Sequence, residues 1–312
     1  METVKHQHYV PQFYLREFAD DKEQIWTYDK VLDKSFLTSV RNVAGERYFY
    51  DSTAMEAAVG DRQAVEKYLS SLEGGFSDKI SHLLGRLRTN RFLRLDPETR
   101  GIIAIFAAFQ LIRTKEHRIT SLQTAQQLRK FLLKHPRTES MLLDLDAGMT
   151  KEGMQEFHAQ QLLDVPRIVE MAEILKSHIW VIAKNHPAGS FYTGDEPITK
   201  KANIKRPFRG NDGIACKGIE VHLPLAHDYF ITMYDRIHFS DIVKFDGKVT
   251  PLLSSENMIY LRQFHVKFSS RFVFCRDDDF DLARQICREE PHWRDQDRKR
   301  ITSNHDDDFP VV

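Results

Sequence analysis

The sequence predicts an α+β protein in which a helical middle region packs with a mixed or antiparallel sheet. Stretches rich in β-branched and aromatic residues occur near the N-terminus and return after residue 176, and helical periodicity fills most of the chain between them. Strands that are separated in this way from a run of helices are typical of α+β folds. We therefore expect the N-terminal strands to join a sheet that the C-terminal strands build.

The stretch KHQHYVPQFYLREFA, residues 5–19, opens the chain with two histidines and several aromatic residues. Pro11 suits the first position of a short helix and disfavours helical backbone just before it. His6 and His8 then lie on an extended segment, where side chains two residues apart share a face. We expect the aromatic side chains, including Tyr14, to anchor this end of the chain against the core.

Two strands at 24–30 and 34–40 are predicted next, with a third at 47–51. Helical patterning runs from 53 to 88, where Gly74-Gly75 is expected to bend or divide the helix. Asp96 as N-cap and Pro97 at the first position then begin an apolar helix that we expect to be buried and to continue with little break towards Pro136. Further helices are predicted at 151–164 and 166–176.

The second half of the chain returns to strands. A helix over 254–270, capped by Ser254 or Ser255, is expected before the last strand. We predict one α+β domain over 1–288, with a subdivision near 176 as the alternative, and a polar tail over 289–312. The strands are predicted at 178–184, 189–194, 219–225, 228–235 and 271–276.

Composition excludes several classes of function. The 45 basic residues balance the 45 acidic residues, so no net field would steer the molecule onto nucleic acid or an anionic membrane. No apolar run reaches the roughly 18 to 20 residues of a membrane span, and the N-terminus lacks the apolar region of a signal peptide. Three cysteines without close spacing indicate reduced thiols, so we expect a cytoplasmic protein with no membrane partner.

The candidate catalytic residues are His8, Asp195 and Glu196. Two imidazoles on one face, or an acidic pair in the turn after a strand, provide acid and base groups or ligands for a divalent metal. The alternatives are structural: His8 caps the first helix, and Asp195 bonds its own turn. No glycine-rich phosphate loop accompanies the acidic pair, which argues against a nucleotide-hydrolysing motif.

The candidate substrate-binding residues are Gln110, Arg113, Tyr14 and Asn257. Gln110 and Arg113 lie one helical turn apart on an otherwise apolar helix, where a buried arginine needs a partner. Arg113 either pairs with a carboxylate of the preceding helix, Glu66 or Glu73, or grips an anionic ligand such as phosphate. Asn257 near the start of its helix is either a cap or a group that orients a ligand.

Several segments together resemble the DUF4238 family of uncharacterised proteins. They are HYVPQFYLREF (8–18), FAAFQLIRTKEHR (106–118), IWVIAK with SFYTGDEPI (179–198), VHLPLAHDYFITM (221–233) and ENMIYLRQFHVKFSSRFVF (256–274). The chain departs from the usual family pattern at Lys115, where proline is frequent, and at Glu196, where asparagine is usual. The resemblance implies a shared fold and a set of candidate positions, but no activity.

Two functions remain open at this stage, one of them enzymatic. In the first, the chain is a hydrolase of a phosphate-bearing substrate such as nucleic acid, with the basic loop KKANIKRPFRG (200–210) beside the acidic turn holding the phosphate. In the second, the chain is a non-catalytic module for a small anionic ligand or a protein partner. The hydrolase requires His8, Asp195 and Arg113 to converge around one cavity.

Overall fold

The computed structural model describes residues 3–90, 93–135, 138–185, 189–204, 212–252 and 254–301. The first part contains β1 (His6–His8), α1 (Gln12–Arg16), β2 (Gln24–Asp29), β3 (Lys34–Ser39) and β4 (Gly45–Arg47). The helical middle contains α2 (Thr53–Val59), α3 (Ala64–Thr89), α4 (Pro97–Arg113), α5 (Lys115–Leu132), α6 (Glu139–Gly148), α7 (Lys151–Leu163) and α8 (Val165–Ser177). The last part contains β5 (Ile179–Lys184), β6 (Thr193–Gly194), β7 (Thr199–Ala202), β8 (Ile219–Pro224), β9 (Tyr229–Tyr234), β10 (Lys248–Pro251), α9 (Ser255–Phe268), β11 (Phe272–Cys275) and α10 (Asp281–Glu289). The α+β prediction is confirmed.

Helix boundaries in the middle region differ from the predicted ones at two places. The first break falls at Gly60, which adopts a left-handed φ of 73° as the C-cap of α2, whereas α3 runs straight through Gly74-Gly75. The second break falls at Thr114, whose side chain accepts from the His117 N–H and thereby starts α5. A capping hydroxyl therefore ends the central helix earlier than its apolar pattern predicts.

Strand pairing within the described residues forms three sheets rather than one. A five-stranded sheet has the order β10-β5-β9-β8-β7, a four-stranded sheet has the order β3-β2-β11-β6, and β1 pairs with β4 alone. The N-terminal strands do join C-terminal ones, since Thr27 of β2 pairs with Phe274 of β11, which pairs with Thr193 of β6. Only β10 on β5 is parallel in these sheets, and the other pairs are antiparallel.

The two faces of the five-stranded sheet pack against different helices. Trp180, Val221 and Ile231 belong to the main core, which also contains apolar residues of α4 and α8. Alternate residues of the same strands face α9, as Phe230 does in a smaller cluster with Leu261. This alternation is the period-two pattern expected of a strand buried on both faces.

Some of the strand predictions fail for local reasons. The 47–51 strand is wrong, because β4 ends at Arg47 and Tyr48 takes a left-handed φ of 53° that breaks the extended backbone. The 189–194 strand is reduced to its last two residues, since the Phe191 N–H donates to the His227 carbonyl outside any ladder.

The C-terminal tail contacts the body of the protein as far as the structure describes it. Arg298 is buried and donates to the Phe268 and Ser269 carbonyls at the end of α9. Residues 302–312 of the predicted tail lie outside the described residues. None of the described helices is long and apolar enough to cross a membrane.

Tyr14 connects the N-terminal helix to both C-terminal sheets, and its removal should destabilise the fold. Its buried hydroxyl donates to the Pro224 carbonyl at 2.7 Å and lies 2.8 Å from Thr193 Oγ1. We expect Tyr14→Phe to lower the free energy of unfolding by about 1–3 kcal/mol, because two buried polar groups lose a partner. Urea denaturation would measure it, with Tyr48→Phe at an exposed phenol as the matched control. Equal losses in both variants would contradict this assignment.

Candidate ligand-binding site

The opening segment is tied into the fold, as the sequence predicts. His8 pairs with Gly45 across β1 and β4, and the N–H groups of Tyr9 and Val10 both donate to the Ala44 carbonyl. Aromatic rings then hold the segment to the core, with Tyr9 5.3 Å from Phe49 between ring centroids. The backbone of residues 8–10 is therefore fixed well before the first helix begins.

The His8 ring is occupied by two neighbours. Nε2 lies 3.1 Å from the Arg41 carbonyl oxygen and Nδ1 lies 3.2 Å from the Gln12 side-chain nitrogen, so one ring nitrogen donates and the other accepts. Burial, together with the nearby His6, lowers the pKa of His8 to about 4. The ring is neutral at neutral pH and both nitrogens already have partners, so its geometry suits an anchor.

Arg113 is also engaged in the interior. Its guanidinium donates to Glu73 at 2.9 Å and to the His8 carbonyl at 2.8 Å. The pairing with Glu73 is one of the two ion pairs that the sequence suggests, and it joins α3 to α4. Gln110, one turn earlier, is fully buried, and its amide atoms have no hydrogen-bond partner among the described residues.

Asp195 grips the chain that leads out of α9. Its carboxylate accepts from the backbone N–H groups of Ser270, Arg271 and Phe272 at 2.7 to 2.9 Å. Burial raises the pKa of Asp195, and the Phe272 and Arg271 N–H groups and the Lys30 charge oppose that rise. A carboxylate with three N–H donors serves as an acceptor for the backbone, but the backbone is that of residues 270–272 rather than its own turn, as the structural alternative had it.

Two cations bind the backbone carbonyls of the same segment, whose N–H groups Asp195 accepts. The buried Lys30 ammonium donates to the Val266 and Ser269 carbonyls at 2.8 and 2.5 Å, and Arg298 donates to Ser269 at 3.1 Å. Cations at the C-terminus of a helix complement its dipole and its unpaired carbonyls. We refer to Ser269–Phe272, which Asp195, Lys30 and Arg298 hold together, as the 269–272 turn.

Glu196 and Asn257 are not among the described residues that hold the 269–272 turn together with Asp195. Burial raises the pKa of Glu196 well above its usual range, which favours its neutral form, and Thr114 lies within hydrogen-bonding reach. Asn257 is exposed in the first turn of α9, about 18 Å along the helix axis from the 269–272 turn at 1.5 Å per residue. The structure therefore does not bring Asn257 and Asp195 together.

A cavity of about 270 Å³ opens beside Asp195. We call it the Tyr9 cavity. Its wall comes from distant parts of the chain, and neither His8 nor Arg113 contributes to it among the described residues. Its polar lining includes Tyr9, Glu46, Lys115, Asp195, Ser270 and Arg271.

Charge in the Tyr9 cavity is balanced by ion pairs at its rim. Lys115 Nζ lies 2.5 Å from Glu46, and the Arg271 guanidinium donates through two nitrogens to Asp29. Both basic side chains keep a little over a third of their surface exposed. Burial raises the pKa of Tyr9, and Asp195 and Glu46 raise it further, so its phenol remains a hydrogen-bond donor. The cavity thus presents two paired cations and a phenol, beside the Glu46 and Asp195 carboxylates that also line it.

Asp195 is a candidate site residue that the sequence identifies, whereas most of the other polar residues of the Tyr9 cavity were not predicted. Tyr9 lies inside the opening stretch, but its aromatic character indicates anchoring alone. Lys115 is the more informative signal, since a lysine at the start of a helix opposes the helix dipole and requires compensation. Arg271 directly precedes β11, and nothing in the sequence around it distinguishes it from a surface arginine.

The described part of the chain gives no support to the predicted metal site, and it contains only part of the basic loop that was predicted to hold phosphate. No group of three or more His, Cys, Asp or Glu side chains there is placed to hold a metal ion. Residues 205–211, which carry most of the predicted basic loop, lie outside the described residues.

Comparison with known proteins gives one match. A family model described as a protein of unknown function (DUF4238) matches residues 6–279. The chain therefore belongs to this family. No curated protein and no solved structure matches it.

The three hydrogen bonds that the Asp195 carboxylate accepts from the 269–272 turn predict a strong effect of Asp195→Asn on stability. The amide leaves one oxygen and turns two hydrogens towards backbone N–H groups, so we expect the free energy of unfolding to fall by about 2–4 kcal/mol. Urea denaturation would measure the loss, and Asp21→Asn, at a fully exposed aspartate, should leave stability unchanged. If Asp195→Asn were as stable as the wild type, the grip would not hold the turn.

Proposed function

We propose that this DUF4238 protein is a non-catalytic module that binds a small anionic ligand in the Tyr9 cavity. The observation that carries the proposal is the convergence of Lys115, Arg271 and the Tyr9 phenol on one cavity from three distant parts of the chain. A carboxylate or phosphate is the group such donors recognise best. A volume of about 270 Å³ suits a small molecule rather than a polymer.

The position of Lys115 supports a role in binding. It occupies the first residue of α5, where a positive charge lies next to the positive end of the helix dipole. Glu46 offsets part of that cost, and an anionic ligand in the cavity would offset more. Phe36 and Phe272 provide apolar walls for the rest of such a ligand.

The hydrolase hypothesis has less support from the geometry. His8 has partners at both ring nitrogens, Asp195 accepts three N–H groups, and Arg113 is paired with Glu73. Each of these groups would have to give up contacts before it could act on a substrate. The hypothesis stays a prediction, and a nuclease and phosphatase screen of wild type against His8→Asn would test it.

Loss of either cavity cation should weaken ligand binding. A panel of sulfate, phosphate, succinate and a nucleoside monophosphate would be screened by NMR chemical-shift perturbation, and affinities would be measured by calorimetry. We expect Lys115→Met and Arg271→Met each to lower the affinity of a binding probe about 10- to 100-fold, since each removes a charge-assisted hydrogen bond.

Matched controls are available elsewhere on the surface. Lys67, paired with Asp61, and Arg129, paired with Asp146, are similarly exposed and line neither the Tyr9 cavity nor the larger groove near Asp96. Lys67→Met and Arg129→Met should leave the affinity unchanged. Equal losses in test and control variants, or a panel with no binding probe, would reject the proposal.

A further inference from the structure

Two histidines are buried between α9 and the five-stranded sheet. His222 of β8 and His265 of α9 are both fully buried, and their rings lie 6.0 and 5.8 Å from the Phe230 ring. None of their four ring nitrogens makes a hydrogen bond of good geometry with the described residues. Buried imidazoles without such partners are uncommon and call for an explanation.

The same junction contains other buried polar atoms of this kind. Thr199 pairs with His222 across β7 and β8, and Ser269 packs against Gly194. The Thr199 and Ser269 hydroxyls and one Glu196 oxygen have no partner within the described residues. We call Glu196, Thr199, His222, His265 and Ser269 the polar seam.

The charges around the two rings are unequal. Glu220 Oε2 lies 3.5 Å from His222 Nε2 and also accepts from the Tyr260 hydroxyl at 2.9 Å, while Lys201 lies 3.7 Å from the same carboxylate. On the α9 side, His265 faces His222 and the Glu196 backbone carbonyl. A proton on His222 would therefore find a carboxylate, whereas a proton on His265 would not.

The basic groups nearest to His265 along α9 are engaged with other partners. Arg262, one turn earlier in α9, is paired with Asp279, and Lys30 donates to the carbonyl of Val266. Burial raises the pKa of Glu196, which disfavours the charged form that could serve as a counter-charge. The seam tolerates neutral imidazoles and opposes a positive charge on α9.

The polar seam is continuous with the Tyr9 cavity. Ser269 ends the seam and begins the 269–272 turn, whose next three residues line the cavity. Glu196 follows directly on Asp195, which also lines it. A movement of the end of α9 away from the sheet would therefore displace one wall of the cavity.

We propose that the polar seam is a proton-sensitive joint, in which protonation of His265 and His222 separates α9 from the sheet and releases the anionic ligand of the Tyr9 cavity. The regulatory part rests on the proposed function. The joint itself rests on the burial of the two histidines and on their position between the two elements.

The direction of the effect follows from linkage. Burial, together with the nearby His222, lowers the pKa of His265 to about 3, whereas an exposed histidine titrates near 6.5. The closed joint binds fewer protons than the open one, so its stability is complete above about pH 6.5 and falls as the pH drops below that value. At about pH 5 one such histidine raises the opening equilibrium roughly 30-fold.

Hydrogen exchange tests the joint without any ligand. After correction for intrinsic exchange, the α9 amides of the wild type should open roughly 30-fold more at about pH 5 than at about pH 7.5. His265→Gln should remove most of that rise, and His238→Gln, at an exposed histidine, should retain it. An unchanged wild type, or an equal rise in His265→Gln, would overturn the joint.

NMR titration needs no variant, and a His265 ring that titrates above about pH 6 would also overturn it.

Sulfate binding tests the coupling, because the charge of sulfate is constant over this range of pH. We expect the sulfate affinity of the wild type to fall between about pH 7.5 and about pH 5 by the same factor as the fraction of molecules with a closed joint, and not to fall in His265→Gln. Simple electrostatics predicts the reverse, because acid makes the protein as a whole more positive and would favour an anion. Absence of sulfate binding at every pH, with the rise in exchange intact, would reject the cavity and its regulation while supporting the joint.

Discussion

The structure depends on the grip of one buried carboxylate on a backbone turn. Asp195 accepts three consecutive N–H groups, and Lys30 and Arg298 donate to carbonyls of the same turn and the helix before it. Buried charges are costly when unpaired, so each member of this group requires the others. The grip joins the end of β2, the acidic turn, the end of α9 and the C-terminal segment at one point.

That point also explains why the Tyr9 cavity lies where it does. Residues 270–272 line the cavity while their N–H groups bind the Asp195 carboxylate, so the turn and the cavity wall are the same segment. Arg271 is consequently directed to Asp29, and its guanidinium remains at the rim of the cavity. The same constraint that stabilises the turn thus leaves a polar cavity next to it.

The sequence predicts the fold class and many elements because each carries a local signal. Asp96 and Pro97 place the start of α4 correctly, Pro11 lies one residue before α1 as its N-cap, and the β-branched and aromatic residues of β5, β8 and β9 are equally plain signals. The β7 and β10 strands are too short and too polar to show such a pattern. Their positions depend on partners that lie elsewhere in the chain.

The candidate site is harder to predict, since its chemistry is decided by partners far away in sequence. Arg113 is identifiable as a buried cation, and even its carboxylate partner is foreseeable, because both lie on neighbouring helices. The commitment of Asp195 to residues 270–272 is not foreseeable, because nothing local distinguishes a free carboxylate from a bound one. His222 and His265 show no motif spacing, and only the packing of α9 on the sheet brings them together.

The bonds of Tyr14 have a consequence for how the chain is made. The hydroxyl forms hydrogen bonds with Thr193 and the Pro224 carbonyl, and β2 pairs with β11 at residues 272–275. The β1–β4 and β2–β3 pairs are local in sequence and can form early, whereas Tyr14 and the other edge of β2 need partners more than 170 residues away. Contacts this distant in sequence slow folding, and they leave an aromatic segment exposed meanwhile. The segment around Tyr14 is among the last parts of the fold to reach its final place.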